Sequence, residues 1–214
     1  MKKFATSTLI ALAVSASTLA ITSPAMARSS KHFTSTMQMP SASAQTPVRV
    51  NVTLGEDLAF RANNLSTELR DKFNSRDINN GFANNGYFGQ KDLDKLTARM
   101  EKRMTSRLEK NGITVSDDAT TVLNIVITDA RPNRPTFAQM SKSTSLSMRS
   151  FGTGGANFEG TLSNASGELG NVSYGWYETD IRDAQYGSTW SDANRAIDRF
   201  ARKTAKALNR KPVG

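Results

Sequence analysis

The stretch from Gly152 to Ile181 constrains the fold more than any other part of the sequence. It holds two runs in which apolar and polar residues alternate, separated by the turn-forming sequence Asn-Ala-Ser-Gly at 164–167. This combination is typical of a β-hairpin. A three-residue loop with Gly167 in the left-handed region puts the large apolar residues of both strands on one face, whereas a two-residue loop shifts the register by one and separates them. The predicted pairs are Asn164 with Glu168, Gly160 with Val172, Phe158 with Tyr174, and Ala156 with Trp176.

The amino terminus has the three parts of a secretory signal peptide. It begins Met1-Lys2-Lys3, continues through an apolar run at 9–14, and reaches an Ala-x-Ala site at 25–27. A basic start, a short apolar core and small residues before the cleavage site are typical of exported proteins. We therefore predict a signal peptide at 1–27, cleaved after Ala27, and a periplasmic protein, with secretion beyond the outer membrane as the alternative.

The segment that follows, 28–46, is rich in Ser, Thr, Ala, Met and Gln and has no hydrophobic period, which predicts a flexible leader. It contains the single histidine, His32. Residues 47–211 are enough for one domain with its own core. The chain has no cysteine, so we expect neither a disulfide nor a lipid-bearing cysteine at the new amino terminus. No later stretch is apolar enough to span a bilayer, which predicts that this is not an integral membrane protein.

Four further segments show clear periodicity. Residues 48–54 and 121–129 alternate as strands do, and residues 91–111 and 189–209 place apolar residues every three or four positions, as amphipathic helices do. The remaining segments predict a short helix within 56–75, a loop over 77–90 and a partly extended segment over 137–150.

Two amphipathic helices need a sheet face to cover, and each predicted strand offers one apolar face. The simplest solution is an α+β two-layer sandwich, with a mainly antiparallel sheet of about four strands and both helices on one face. We expect the last helix to begin with a capping box, in which Thr189 is the N-cap and Asp192 lies at the third helical position.

Two parts of the sequence resemble a family of uncharacterised bacterial envelope proteins and lipoproteins, known as a domain of unknown function. They are GGANFEGTLSNASGELG at 154–170 and STWSDANRAIDRFARKTAKAL at 188–208. The shared features are a Gly-Gly-Ala strand, a turn that ends in Gly-Glu and a Trp-x-Asp-Ala start to the final helix, and the resemblance covers roughly 123–208. It implies a periplasmic location and an α/β fold like that of small outer-membrane assembly lipoproteins, and it brings no catalytic residues. This chain departs from the family in lacking the lipobox cysteine.

The formal net charge is +9, and loss of Lys2 and Lys3 with the signal peptide leaves +7. A basic protein attracts anionic neighbours. We therefore expect the partner to be an anionic envelope lipid, a glycan or an envelope protein, and the predicted compartment argues against nucleic acid.

Reactive side chains are scarce. Nucleophilic catalysis needs a base beside the nucleophile, and zinc sites need Cys or His ligands. With no cysteine and one histidine in the leader, we predict no catalytic residue, no metal site and no cofactor. The favoured function is a non-enzymatic periplasmic binding or envelope-assembly accessory protein. The alternatives are an envelope glycan hydrolase using Glu159, Glu178, Asp180 or Asp183, and a sensor of a small anionic ligand using Arg131 and Arg134.

Two groups of side chains are candidate ligand contacts. Arg131, Arg134 and Arg149 flank the loops around the sheet and could bind a phosphate or carboxylate. The sheet face away from the helices carries Asn157, Glu159 and Tyr177, and it could receive a glycan or a peptide with Tyr177 as the anchor. The glycines at 152–155 resemble a phosphate loop but precede a strand rather than a helix, so we interpret them as a flexible entry that leaves room for Trp176.

Overall fold

The computed structural model describes residues 32–37, 46–66 and 81–209. The strands are β1 (Phe33–Ser35), β2 (Val48–Leu54), β3 (Thr121–Arg131), β4 (Gly155–Asn164) and β5 (Gly167–Tyr177). The two long helices are α3 (Gln90–Lys110) and α6 (Ser191–Leu208). Four short helices complete the fold: α1 (Glu56–Phe60), α2 (Phe82–Asn85), α4 (Phe137–Lys142) and α5 (Ile181–Ala184).

The strands form a five-stranded mixed sheet in the order β1-β5-β4-β3-β2. Every neighbouring pair is antiparallel except β2 and β3, which are parallel. Helices α3 and α6 pack against each other and on the sheet, α3 against β2 and α6 against β4 and β5. The predicted α+β sandwich is therefore confirmed, with one strand more than expected.

The core lies between the helices and the sheet. The inward side chains of β3, Leu123, Ile125 and Ile127, are almost completely buried. On α6, Phe200 stacks against Phe158 of β4 with ring centroids 5.1 Å apart. Aromatic pairs in this offset geometry add about 1 kcal/mol to the free energy gained from burial alone.

The hairpin keeps the predicted pairing along its length but closes differently. Gly160 faces Val172, Phe158 faces Tyr174 and Ala156 faces Trp176, as expected. The predicted pair of Asn164 with Glu168 is wrong, because Asn164 pairs with Gly167 across a two-residue loop. A register shift follows at once, where Ser163 faces Glu168 and Leu162 faces Gly170, so Leu169 is the extra residue of a β-bulge. The bulge restores the register that a two-residue loop alone would lose.

The leader contributes a strand, so the prediction that 28–46 is flexible is wrong for residues 33–37. Strand β1 pairs with β5, with Phe33 opposite Tyr174. Just beyond the strand, Met37 is buried and joins the main core. Three residues with one apolar position are too few to show a period, which is why the pattern went unseen.

Other boundaries also differ from the prediction. The early helix is only α1, and the rest of that prediction lies partly outside the described residues. The segment predicted to be extended contains α4, whose capping box joins Thr136 and Gln139. The capping box predicted at Thr189 is wrong, because Trp190 occupies the cap position and makes no side-chain cap bond.

The predicted signal peptide lies outside the described residues. Among the residues that are described, no helix is both long enough and apolar enough to cross a membrane.

Candidate functional site

One face of the sheet is covered by the helices, and the opposite face carries polar side chains in cross-strand rows. The register places Asn51, Asn124, Thr161 and Asn171 in one such row. Within it, Asn51 Nδ2 donates to Asn124 Oδ1 at 2.9 Å, and Thr161 Oγ1 donates to Asn171 Oδ1 at 2.8 Å. The next row holds Thr53, Val126, Glu159 and Ser173. We call this surface the polar face.

A β-bulge in β3 decides which charges reach the polar face. Ile127 pairs with Phe158 and Asp129 pairs with Asn157, so Thr128 is the extra residue. Without the bulge, strict alternation would point Asp129 into the core beside Ile127. With it, Ala130 takes the buried position, and Asp129 and Arg131 lie on the polar face.

Asp129 is the centre of a charged network at one end of this face. One carboxylate oxygen accepts a hydrogen bond from Arg61 Nη2 at 2.6 Å. The other accepts from the Tyr177 hydroxyl at 2.5 Å and from Arg131 Nε at 3.2 Å. The Arg131 guanidinium also lies over the Tyr177 ring, 4.3 Å from its centroid.

Arg61 connects this network to the interior. Its residue surface is only 5% exposed, and its guanidinium carbon lies 5.5 Å from the centroid of the Phe88 ring. Arg61 Nε lies 2.8 Å from a carboxylate oxygen of Asp57 as an ion pair, although the geometry there does not meet that of a hydrogen bond. Two carboxylates therefore compensate the Arg61 and Arg131 cations.

Burial and charge act against each other on these groups. Burial alone would raise the pKa of Asp129, but the Arg61 and Arg131 guanidiniums and the Tyr177 hydrogen bond together hold that pKa below its usual value. Burial alone would lower the pKa of Arg61, and the Asp129 and Asp57 carboxylates together more than reverse this. For Tyr177, burial and the negative charge of Asp129 both raise the pKa of the phenol. All three groups thus keep their ordinary charge at neutral pH.

The charged and polar groups of this network are paired with one another, so the network stabilises the fold and offers few free groups to a ligand. The hydroxyl of Tyr177 is occupied by Asp129, and Arg131 covers its ring. Tyr177, the predicted anchor for a ligand, therefore already has both its hydroxyl and its ring in contact with other residues of the network.

The three arginines predicted to bind an anion do not converge. Arg134 donates to three backbone carbonyls: from Nε to Gly187 at 2.8 Å, from Nη1 to Met148 at 2.8 Å, and from Nη2 to Gln185. It thereby fastens the loops around α4 and α5 together. Arg149 is exposed in the first of these loops, and Arg131 belongs to the Asp129 network.

The two other predicted contacts lie on the polar face. Asn157 is half-buried, and its side chain lies over Gly175 so closely that a Cβ at position 175 would come within 2.3 Å of Asn157 Oδ1. Glu159 is exposed in its row.

Asp192 forms a second polar cluster, which the sequence pattern assigned to a helix cap. Its Oδ2 accepts from Asn133 Nδ2 at 2.5 Å and from the Gly154 backbone at 3.1 Å. Its own backbone N–H donates to Asn133 Oδ1 at 2.9 Å. Both side chains are buried, so this cluster ties the start of α6 to the loop after β3 and to the entry of β4. Among the glycines at 152–155, Gly154 leaves room for Asn133 and the Arg131 carbonyl oxygen, and Gly155 leaves room for the backbone of Trp176 and Tyr177.

The carboxylates considered for hydrolysis are engaged locally or exposed. Glu178 accepts from the backbone N–H groups of Thr179 and Asp180. Asp180 pairs with Arg182, whose hydrogen bonds lower the pKa of the carboxyl. A general acid needs the opposite shift. Asp183 is exposed in α5.

Helices α3 and α6 carry most of the excess positive charge on their outer side. Helix α3 has seven basic and four acidic residues, and α6 has five basic and two acidic. Some cations are engaged: Arg99 and Arg103 pair with Asp198, and Arg199 lies 4.1 Å from the centroid of the Trp176 ring. The following exposed cations have no ion pair within the described part of the chain: Lys91, Lys102, Lys110, Arg202 and Lys206. We call this surface the basic helix layer.

Metal ligands do not gather anywhere in the described ranges. There, no group of three or more His, Cys, Asp or Glu side chains could hold an ion.

Arg61 and Asp129 were missed by sequence reasoning, although one signal was available. The inward residues of β3 fall at 123, 125 and 127 and then at Ala130, and this change of parity marks a bulge. Nothing in the sequence pairs Arg61 with Asp129, because 68 residues separate them.

Comparison with known proteins gives structural matches only. No protein-family model matches the chain, and no curated protein matches it. Among solved structures, the PelC dodecamer from Paraburkholderia phytofirmans in space group P6 is 9% identical with a TM-score of 0.43, and the match covers 83% of this chain and 98% of that chain. A single-substitution variant of the same PelC dodecamer, in space group C2, is 10% identical with a TM-score of 0.44, covering 84% and 99%. Likeness of this degree assigns no function to the present chain.

Proposed function

We propose that the protein is a non-enzymatic binding or assembly-accessory protein of the bacterial envelope, and that it contacts an anionic envelope component through the basic helix layer. The observation that carries this proposal is the set of exposed cations on α3 and α6 that no acidic side chain of the described residues neutralises. The periplasmic location rests on the signal peptide pattern and on the resemblance of 154–170 and 188–208 to envelope proteins.

The arrangement of charge supports a contact on the helix side. The two long helices together supply six of the net nine positive charges of the chain. On the polar face, by contrast, the rows are mainly amides and hydroxyls, and the Asp129 network is balanced internally. An anionic surface that approaches the molecule is therefore attracted to the helices.

The contact is electrostatic in kind. The exposed large hydrophobic side chains of the described residues are Phe60, Phe137, Met148, Phe151, Ile181 and Tyr186, and none of them lies on α3 or α6. Without an apolar group to insert, binding should weaken steeply as salt is added, because the Debye length shrinks from about 10 Å at 0.1 M to about 3 Å at 1 M.

Vesicles test the proposal. The exported chain should sediment with phosphatidylglycerol vesicles at low ionic strength. It should be released from them by about 0.5 M salt. A soluble acidic polysaccharide, heparin, forms a second arm that distinguishes an anionic glycan from a lipid surface.

Charge reversal identifies the surface. Lys102→Glu with Arg202→Glu should lower the affinity for the anionic probe by about tenfold or more, since each basic residue near such a surface contributes roughly 1 kcal/mol. The matched control is Lys142→Glu with Arg149→Glu, which changes the net charge equally at exposed positions that are not part of α3 or α6. Equal losses in both variants would show that only net charge matters, and no binding to either probe would contradict the proposal.

A further inference from the structure

Strand β2 is a sheet edge that lacks the usual protection. The other edge, β1, is only three residues long, whereas β2 has seven residues in unbroken register with β3. Native edge strands are commonly short, bulged, or interrupted by proline and charge. Between Val48 and Leu54 the only charged residue is Arg49, and there is no proline.

The backbone of β2 points alternate residues outward. Gly55 donates its N–H to Ile127 of β3, so the odd-numbered residues of the strand bond to the sheet. The backbone N–H and C=O groups of the even-numbered residues point away from the sheet. Those of Val48 confirm this, because they bond to Thr114 and Ser116 on the other side. The backbone N–H and C=O groups of Val50, Val52 and Leu54 point outward in the same way as those of Val48. They have no hydrogen-bond partner within the described ranges.

The side chains show the same opening. Val50, Val52 and Leu54 pack against the core but stay partly exposed. On the neighbouring strand, the equivalent inward residues Leu123, Ile125 and Ile127 are at most 1% exposed. One more strand beside β2 would bury this apolar row.

We propose that the missing strand is β2 of a second copy of this chain, paired antiparallel about a twofold axis through Val52. Because residues 114–116 already occupy Val48, the free segment is 50–54, and only a register centred on Val52 uses all of it. Val52 then faces Val52 of the second copy, and Val50 faces Leu54. A twofold interface of this kind closes on itself and makes a dimer rather than a fibre.

Charge complementarity supports this register. It sets Arg49 opposite Gly55 of the second copy, next to the acidic Glu56 that begins α1. Arg49 and Glu56 are both exposed and have no ion pair in the described part of the chain. Within one chain they are seven residues apart along an extended strand, about 23 Å, and cannot meet. The pair is therefore available only between copies, and the symmetry supplies it twice.

Cysteine cross-linking tests the register, since the chain has no cysteine of its own. Val52→Cys places two thiols on the axis, at a Cα separation of about 5.5 Å that suits a disulfide. The exported chain carrying this change should convert to a disulfide-linked dimer under mild oxidation. Val50→Cys is the matched control, because its two copies would lie about 13 Å apart.

Charge exchange tests the same contact by a separate measurement. In sedimentation equilibrium, Arg49→Glu and Glu56→Arg should each weaken the dimer several-fold, and the double variant R49E/E56R should restore it. A chain that remains monomeric in this measurement would overturn the proposal. Equal cross-linking at positions 50 and 52 would overturn it as well. The outcome does not depend on whether the basic helix layer binds an anionic surface.

Discussion

At the scale of single residues, Asp129 matters to the structure because it compensates a buried cation. Arg61 is almost fully buried, and its closest hydrogen-bond partner is Asp129. An uncompensated charge in that position costs several kcal/mol of folding free energy. An exposed pair such as Asp180 with Arg182 has no such consequence, because water screens both charges.

Asp129→Asn should therefore reduce the free energy of unfolding by about 3 kcal/mol. Urea unfolding measures this, and Glu159→Gln is the control, since Glu159 is exposed on the same face and has no ion pair in the described ranges. If both variants lose the same small amount, the Asp129 network does not stabilise the fold.

The same carboxylate should make stability depend on pH. Its folded pKa lies below the unfolded value, so its contribution is complete above about pH 4 and is lost as the pH falls through the folded pKa. Melting temperatures between about pH 5 and pH 2 should fall less steeply in Asp129→Asn than in the original chain. An unchanged slope would contradict the lowered pKa of Asp129.

At the scale of the element, the entry into β4 depends on close packing around Asp192. A Cβ on Gly154 would lie 2.7 Å from Asn133 Oδ1 and 2.8 Å from the Arg131 carbonyl oxygen. The carbonyl belongs to the backbone and cannot move aside. At Gly152 the nearest atoms are 3.6 Å away or more, which is ordinary contact.

Gly154→Ala should lower the free energy of unfolding by roughly 2 kcal/mol through overpacking, whereas Gly152→Ala should be nearly neutral. Thermal melts of the two variants give a direct comparison. A neutral Gly154→Ala would mean that the contact between Asp192, Asn133 and this turn is loose.

Helices and strands with a clear hydrophobic period could be predicted from the sequence. Features that depend on the extra residue of a β-bulge could not. The stripe of α3 and the alternation of β4 and β5 gave the correct elements and the correct facing of Phe158 and Tyr174. The loop of the hairpin was wrong because a bulge at Leu169 and a two-residue turn produce the same register as a three-residue turn. Hydrophobic periodicity shows which face of the sheet a residue lies on, but it does not show which combination of turn and bulge produces that register.

At the scale of the molecule, the two-layer arrangement could be predicted from the hydrophobic periodicity of the strands and helices, and the site could not. The cations of α3 and α6 could be placed on the outer side because their spacing relative to the apolar stripe is local. The partners of Arg134 and Tyr177 come from distant parts of the chain, and the bulge at Thr128 puts Asp129 and Arg131 together on the polar face. That is why Arg131 and Arg134 have separate structural partners, whereas Arg149 is exposed.

The extent of the domain is also a property of the whole molecule, and it can be tested by truncation. Strand β1 belongs to the sheet, with the Phe33 ring 6.5 Å from Tyr174 and the Lys203 ammonium near both rings. A chain shortened to begin at residue 38 loses Phe33 and the buried Met37 together. Each buried side chain of this size contributes about 1.5 to 3 kcal/mol, so we expect a loss of roughly 3 kcal/mol in urea unfolding. A chain that begins at His32 keeps the strand and should match the longer form. If both truncations were equally stable, β1 would add nothing to the sheet, and residues 33–37 would behave as part of a flexible leader after all.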